Sequence, residues 1–373
     1  MEELSHEERE SYYERGGQIV DEVILPAFGR LMAALYGMAV NTSEAIGLSA
    51  QPHGAEAHQT LLDRTTTLDL PAADIYAFGE TRVAALGDTV RLAAAEAGYD
   101  AALPLQEIFR QAKVDRDYAL GLDVFVTLHN LLLDTELHMN TAFETSIDND
   151  LVMVPVFEGG FYEPVALDGS RRAVFYGGFS GQEAHFGLPT QVYHETFPGR
   201  HYLASVIRDS DLLLFRKAIH FPVFEDGWAL YADYLAWEMG LYEDDPHANL
   251  GWLQSELTAA ARMVVDVGIH TMGWDAQEAA RYLVANAGID RAEANEMVLL
   301  QIAQPAEAVA GYIRYDFICN LRNAAQSRLG DEFDIKAFHT AVLSNGSLPL
   351  PLLEEQVWNA LEWDEAVGVE IIQ

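Results

Sequence analysis

The segment 193–201 brings two histidines and a carboxylate together in a stretch of helical periodicity. His194 and Glu195 are adjacent, and His201 follows seven positions after His194. A His-Glu pair with a second histidine on the same helix is how zinc hydrolases hold a metal ion and a general base. The usual H-E-x-x-H spacing is not met, because position 198 is a proline.

The seven-residue spacing leaves two interpretations open. On a straight helix His194 and His201 share one face but lie about 10 Å apart along the axis. Both rings reach one metal ion only if Pro198-Gly199 kinks or bulges the helix, which this residue pair is suited to do. Alternatively, the segment is a capped core helix in which both imidazoles satisfy buried polar partners.

Composition and charge limit the class of protein. The chain has 373 residues, of which 50% are hydrophobic, so it can bury a large core. Its formal net charge of −36 argues against nucleic-acid or anionic-membrane partners. An acidic surface of this kind serves solubility or steers cationic substrates.

Further sequence features concern the location of the protein. No apolar run approaches about 18 residues, and the charged N-terminal residues do not resemble a signal peptide. The single cysteine, Cys319, excludes an internal disulfide framework. We therefore expect a soluble, cytoplasmic protein with no membrane partner.

Apolar periodicity predicts a mainly α-helical protein with a small β-sheet, an α+β fold. Helices are predicted over 8–50, from Pro71 to Gly98, and over 118–145, 190–207, 223–240, 246–272, 275–287, 291–301 and 305–329. The β-branched run at 151–157, the Asp168-Gly169 turn and residues 173–176 predict strands of a small sheet. Such a sheet could offer an edge strand to an extended substrate, or be a structural hairpin. With no repeat or linker, we expect one domain over 1–373: a helical part (1–150), the sheet (151–180) and the helical part with the motif (181–373).

Three blocks together resemble the DUF885 family, a group of zincin-like proteins regarded as metallopeptidases. The family helix reads H-E-x-x-P-G-H-H, and residues 194–201 read H-E-T-F-P-G-R-H. A family block E-G-W-A-L-Y-x-E corresponds to D-G-W-A-L-Y-A-D at 226–233, and R-x-V-V-D-x-G-I-H to R-M-V-V-D-V-G-I-H at 262–270. The similarity runs from about residue 25 to the C-terminus. It implies a zincin-like helical architecture with a central cleft, and zinc-dependent hydrolysis of a peptide or small amide.

The resemblance also implies roles for individual residues. Zinc, or another divalent metal, would be held by His194, His201 and Asp226. The metal lowers the pKa of bound water towards ~7, and Glu195 accepts its proton as the general base. His270 or Tyr231 would stabilise the tetrahedral oxyanion. Arg200, Arg322 and Tyr312 would bind the substrate. Arg322 could equally form a buried structural pair.

The chain departs from the family pattern at several of these positions. Arg200 stands where the family has the first histidine of its His-His pair, and Asp226 and Asp233 replace two glutamates. The family's Gln-Ala-x-x-Tyr-Lys is E-A-V-A-G-Y at 307–312, without the Tyr and Lys that could bind substrate or an oxyanion. Three functions therefore stay open: a zinc-dependent hydrolase, a repurposed metalloenzyme of specialised metabolism, and a non-catalytic member without metal.

Two sets of residues also have structural interpretations. Asp226 could be a helix N-cap, or a metal ligand for which the adjacent Glu225 could substitute. Arg262, Asp266 and His270 lie at i, i+4 and i+8 on one helix stripe. They form an ion-pair ladder, or Asp266 orients a neighbour while His270 faces the metal.

Overall fold

The computed structural model describes residues 5–40, 42, 45–115, 118–120, 122–144, 146–147, 151–156, 160–178, 182–184, 186–219 and 221–361. The chain forms two compact units, Met1–Ile46 and Gly47–Gln373. The single domain over 1–373 stays a prediction.

The first unit is helical, as the sequence predicts for this region. It contains α1 (His6–Ile19), a π-helical segment (Val20–Ile24) and α2 (Leu25–Ala39). Ser5 caps α1, because its hydroxyl accepts the Glu8 N–H at 3.3 Å and the Glu8 carboxylate accepts the Ser5 N–H at 2.8 Å. The predicted helix over 8–50 is too long, since α2 ends at Ala39.

The second unit is built mostly from helices, which confirms the mainly α-helical prediction. They are α3 (Gly54–Thr66), α4 (Ala72–Glu96), α5 (Leu105–Asp115), α6 (Leu122–His138), α7 (Leu188–Glu195), α8 (Arg200–Asp209), α9 (Leu214–Ala218), α10 (Pro222–Glu238), α11 (Pro246–His270), α12 (Ala276–Asn286), α13 (Arg291–Ala303), α14 (Glu307–Leu329), α15 (Ile335–Leu343) and α16 (Leu350–Ala360). Helix α11 is the central element, because most of its residues are buried and it packs against α4, α7, α12 and α14.

The predicted small sheet is present, with an additional strand. It consists of β2 (Val152–Val156), β3 (Phe161–Glu163) and β4 (Val174–Gly178) in the order β2-β4-β3. Strand β2 pairs in parallel with β4, and β3 pairs with β4 in antiparallel orientation. Two short strands, β1 (Tyr118–Leu120) and β5 (Gln182–Ala184), form a separate antiparallel pair.

Helix α10 carries the aromatic core beside the motif. Its Phe224, Trp228 and Tyr231 are 0% exposed, and the helix packs against α7 and α14. In the described part of the chain, no helix has the length and apolar character needed to cross a membrane.

Candidate functional site around His194 and Glu195

The His-Glu motif lies at a break between two helices. Helix α7 ends at Glu195 and α8 begins at Arg200, so the single helix predicted over 190–207 is wrong. The interruption includes Pro198-Gly199, the residue pair that the sequence indicated as suited to distort the helix. A Cβ atom on Gly199 would lie 2.0 Å from the His194 carbonyl oxygen, so this close approach of the chain requires glycine. The Trp228 indole fixes the segment by donating to the Pro198 carbonyl at 3.0 Å.

His194 is oriented by a buried carboxylate. Its Nδ1 lies 2.9 Å from Asp233 Oδ2, and the Asp233 side chain is only 3% exposed. Burial opposes the imidazolium, but the Asp233 carboxylate outweighs it and raises the pKa of His194. Burial also raises the pKa of Asp233. The pair holds one ring nitrogen of His194 and leaves the other for the adjoining cleft.

Glu195 and Asp226 are bridged by one cation. The Arg200 Nη2 donates to Asp226 Oδ1 at 2.5 Å, and its Nε lies 3.4 Å from Glu195 Oε2. Burial raises the pKa of Glu195, although His194 and Arg200 act in the opposite direction. The predicted general base and one predicted metal ligand therefore share the guanidinium of Arg200.

A cleft of about 670 Å³ opens beside His194 and Glu195. One wall is a stripe of α11 at positions 251, 254, 255, 258, 259 and 262, which follows the spacing of a single helix face. Apolar side chains also line it: Phe186, Leu230, Ile289 and Met297. The cleft thus joins the motif to a surface that could hold an organic ligand.

His201 lies in an aromatic environment. It is 0% exposed, its Nδ1 is 3.1 Å from the Tyr162 hydroxyl, and its ring packs edge-on against Phe197 with centroids 5.1 Å apart. These contacts match the core-helix interpretation of His201. Its role as a metal ligand stays a prediction.

The third sequence block forms a different network from the predicted ladder. Asp266 Oδ1 lies 2.8 Å from His58 Nε2 and also accepts the Ala306 N–H, so it is not ion-paired with Arg262. His270 Nδ1 accepts the Leu48 N–H at 3.3 Å. Its Nε2 lies 3.0 Å from the Gln301 carbonyl oxygen.

These contacts bear on the predicted role of His270. Burial lowers its pKa, so the neutral ring is favoured. Both ring nitrogens have backbone partners, and His270 is not among the residues lining the cleft. Its role as an oxyanion donor stays a prediction.

The remaining predicted residues also have partners outside the cleft. The Tyr231 hydroxyl lies 2.8 Å from His339 Nε2 and accepts from Arg322 at 3.3 Å. Arg322 forms a bidentate pair with Glu238, which matches its structural interpretation.

Tyr312 belongs to a buried cluster that the sequence did not indicate. Its hydroxyl accepts from Arg82 Nε at 3.2 Å and lies 3.5 Å from Glu256 Oε1. No spacing rule links Arg82, Glu256 and Tyr312, because they come from three different helices.

The side chains around the motif are potential donors to a metal ion. Among the described residues, no group of three or more His, Cys, Asp and Glu side chains is arranged to hold one. Asp226 is engaged by Arg200, and His201 Nδ1 by Tyr162. The side chains as they stand do not fit a metal ion, and ligation by His194, His201 and Asp226 would require rearrangement.

The comparisons with known proteins agree with the sequence blocks. A family model described as "Bacterial protein of unknown function (DUF885)" matches residues 1–357. The crystal structure of "the putative lipoprotein from Colwellia psychrerythraea" superposes with a TM-score of 0.92 at 27% identity, covering 96% of this chain and 64% of that one. The chain thus spans less than two thirds of that protein.

A second structure shows the fold alone. This "putative lipoprotein of unknown function from Shewanella oneidensis" has a TM-score of 0.74 at 17% identity, covering 96% of this chain and 68% of that chain. No curated protein matches the sequence. The match of the family model over nearly the whole chain shows that this protein belongs to the DUF885 family.

Proposed function

We propose that this protein binds a small molecule or peptide in the cleft beside His194 and Glu195 without a metal ion, as a non-catalytic member of its family. The observation that carries the proposal is the Arg200 guanidinium, which contacts both Glu195 and Asp226. It supplies a fixed positive charge to the two carboxylates that would otherwise act on or bind a metal ion.

The sign of the electrostatic effect supports this proposal. A guanidinium beside a metal site repels a dication, and the repulsion is stronger where solvent is partly excluded. A charge-assisted hydrogen bond between Arg200 and Asp226 would also be lost.

The cleft itself supports a ligand-binding role. Its volume of about 670 Å³ is within the range of roughly 300–1,000 Å³ found for small-molecule sites. Apolar residues such as Phe186, Leu230 and Met297 line it together with polar groups from α11. This combination suits an organic ligand with an apolar body and a polar end.

The second candidate is the zinc-dependent hydrolase that the motif implies, with zincin-like architecture and a peptide or small amide as substrate. The observation in its favour is the contact of His194 with Asp233, because metal-binding histidines commonly hold a carboxylate on their second nitrogen. This function requires Arg200 to leave Asp226. A repurposed metalloenzyme has the same requirement.

Metal content separates these candidates. Protein purified without chelator is analysed for metals before and after zinc addition and desalting, together with His194→Ala and the surface control His6→Ala. The proposal predicts substoichiometric zinc in all three proteins. Retention of about one zinc per chain by wild type and His6→Ala, but not by His194→Ala, would contradict it and favour the hydrolase.

We also propose a cytoplasmic location, on the sequence evidence. The two similar structures are described as lipoproteins, and a lipid-anchored location would be the alternative for this chain. Subcellular fractionation of the native protein distinguishes the soluble fraction from the membrane fraction.

A further inference from the structure

One arginine in the cleft differs from the other charged groups of the motif. His194 is paired with the Asp233 carboxylate, and Arg200 is paired with the carboxylates of Glu195 and Asp226. Arg262 lines the same cleft, but no described side chain forms a hydrogen bond or an ion pair with its guanidinium. Its Nε is buried without a partner.

The two carboxylates that act electrostatically on Arg262 already have other partners. Burial lowers the pKa of the Arg262 guanidinium, whereas Asp226 and Asp266 favour its charged form. Asp226 is hydrogen-bonded to Arg200, and Asp266 to His58. An arginine side chain remains protonated, so its partly desolvated charge carries a free-energy cost until an anion binds.

Acidic residues far outnumber basic ones in this chain. The protein has 58 acidic residues and only 22 lysines and arginines, so a carboxylate partner for an arginine is easily supplied. None of the described carboxylates forms a hydrogen bond or an ion pair with Arg262, and the two that act on it electrostatically pair with His58 and Arg200. The structure instead leaves the guanidinium facing a cavity.

Helix α11 places small side chains on the cleft wall close to this guanidinium. Ala259 and Ser255 precede Arg262 by about one and two turns on the stripe that lines the cleft. Thr258, one turn before Arg262, adds a hydroxyl to the same wall. The planar guanidinium can bind a carboxylate through two parallel hydrogen bonds.

The surrounding charges favour a carboxylate over a phosphate. Glu195 lines the cleft, the exposed Asp290 and Glu293 also border it, and Lys113 is a second cation in its lining. Lys113 attracts either anion, but the three acids repel a dianionic phosphate more strongly than a singly charged carboxylate. The apolar lining, with Phe186 and Met297 among its members, fits a hydrophobic group on the rest of the molecule.

We propose that Arg262 anchors the carboxylate of an apolar ligand, a hydrophobic carboxylic acid or a peptide with a free C-terminus. This inference deepens the proposed function and rests on it, because it assigns the ligand class of the same cleft.

The test compares acids with their amides. Isothermal titration in the presence of chelator uses two probes, N-acetyl-Leu-Phe and 3-phenylpropanoate, each as free acid and as primary amide. We expect at least one acid to bind about tenfold or more tightly than its amide, the range of a charge-assisted contact. Binding of the peptide acid alone assigns a peptide C-terminus, and binding of both acids assigns apolar carboxylates in general.

Substitutions of Arg262 test whether this residue causes the tighter binding of acids than of amides. Arg262→Met should bring the acid-to-amide ratio of affinities close to one. The control Arg281→Met, at an exposed position of α12 outside the cleft, should keep the wild-type ratio. Arg262→Lys retains the charge but not the bidentate geometry and should reduce the ratio, which preserves the test if the methionine variant does not fold.

Three results would overturn the inference: no binding of either acid, equal binding of acids and amides, or an unchanged ratio in Arg262→Met. Failure of the proposed function has a different signature, the stoichiometric zinc described above. Because the titrations contain chelator, their outcome does not depend on metal content.

Discussion

Arginine at position 200 has a different effect from the histidine of the family motif, because it brings a fixed positive charge and no lone pair. Its contacts with Glu195 and Asp226 form an internal ion-pair network at the motif. The sequence predicted that Arg200 and Asp226 depart from the family pattern. It could not predict that they contact each other, since they belong to α8 and α10.

The pairing of His194 with Asp233 predicts how removal of the Asp233 carboxylate changes the pKa of His194. In Asp233→Asn the imidazolium loses its counter-ion while burial remains, so the pKa of His194 should fall below the wild-type value. NMR titration of the His194 ring measures this change, with Asp69→Asn at an exposed position as the control. An unchanged His194 pKa in Asp233→Asn would show that the carboxylate does not control this ring.

The sign of the linked stability change follows from the direction of the shift. The His194 pKa is raised in the folded state, so its stabilisation is complete below the usual histidine pKa of about 6.5. It is lost as the pH rises through the raised value. The destabilisation caused by Asp233→Asn should therefore become smaller with increasing pH over this window.

Among the elements, the break between α7 and α8 determines where the motif side chains lie. The segment returns over the end of α7 so closely that Gly199 has no room for a Cβ atom. Pro198 and Gly199 indicated a distortion from sequence, as residues that interrupt helices. The direction of the chain after the break depends on tertiary contacts such as that of Trp228 with Pro198.

This geometry predicts opposite effects for two glycine substitutions. Gly199→Ala should lower the free energy of unfolding by about 1–3 kcal/mol, because its Cβ would meet backbone oxygens of His194 and Tyr193. The control Gly87→Ala lies in α4 with no atom within 4 Å of the added carbon, and should raise stability by roughly 0.5–1 kcal/mol. Urea denaturation measures both, and wild-type stability of Gly199→Ala would contradict the close approach.

For the sheet, the positions of two strands could be predicted from the sequence, but their pairing could not. The β-branched run at 151–157 and the residues 173–176 correctly predicted β2 and β4, and the Asp168-Gly169 turn is present with Gly169 at φ +73°. The parallel pairing of β2 with β4 was not predicted, because β3 lies between them in sequence but at the edge of the sheet in space. Strand order depends on packing, which period-two alternation does not encode.

For the molecule as a whole, composition and periodicity predicted the mainly helical fold, and the resemblance of three sequence blocks is confirmed by the family match over residues 1–357. The blocks bring His194, Glu195, Arg200 and Asp226 together because α7, α8 and α10 pack against one another. The lack of a described carboxylate partner for Arg262 could not be predicted from the sequence. Whether a charged side chain has a partner depends on neighbours from several helices, and α11 is central to the second unit.

The central claim is that Arg200 and Asp226 together weaken metal binding at the motif. A competitive chelator titration compares zinc affinity of wild type with the double variant Arg200→His, Asp226→Glu, which carries the family's residues. The variant removes the nearby cation and lengthens the carboxylate side chain by one methylene, about 1.3 Å. We predict that it binds zinc at least about tenfold more tightly than wild type. Equal or tighter binding by the wild type would contradict this account.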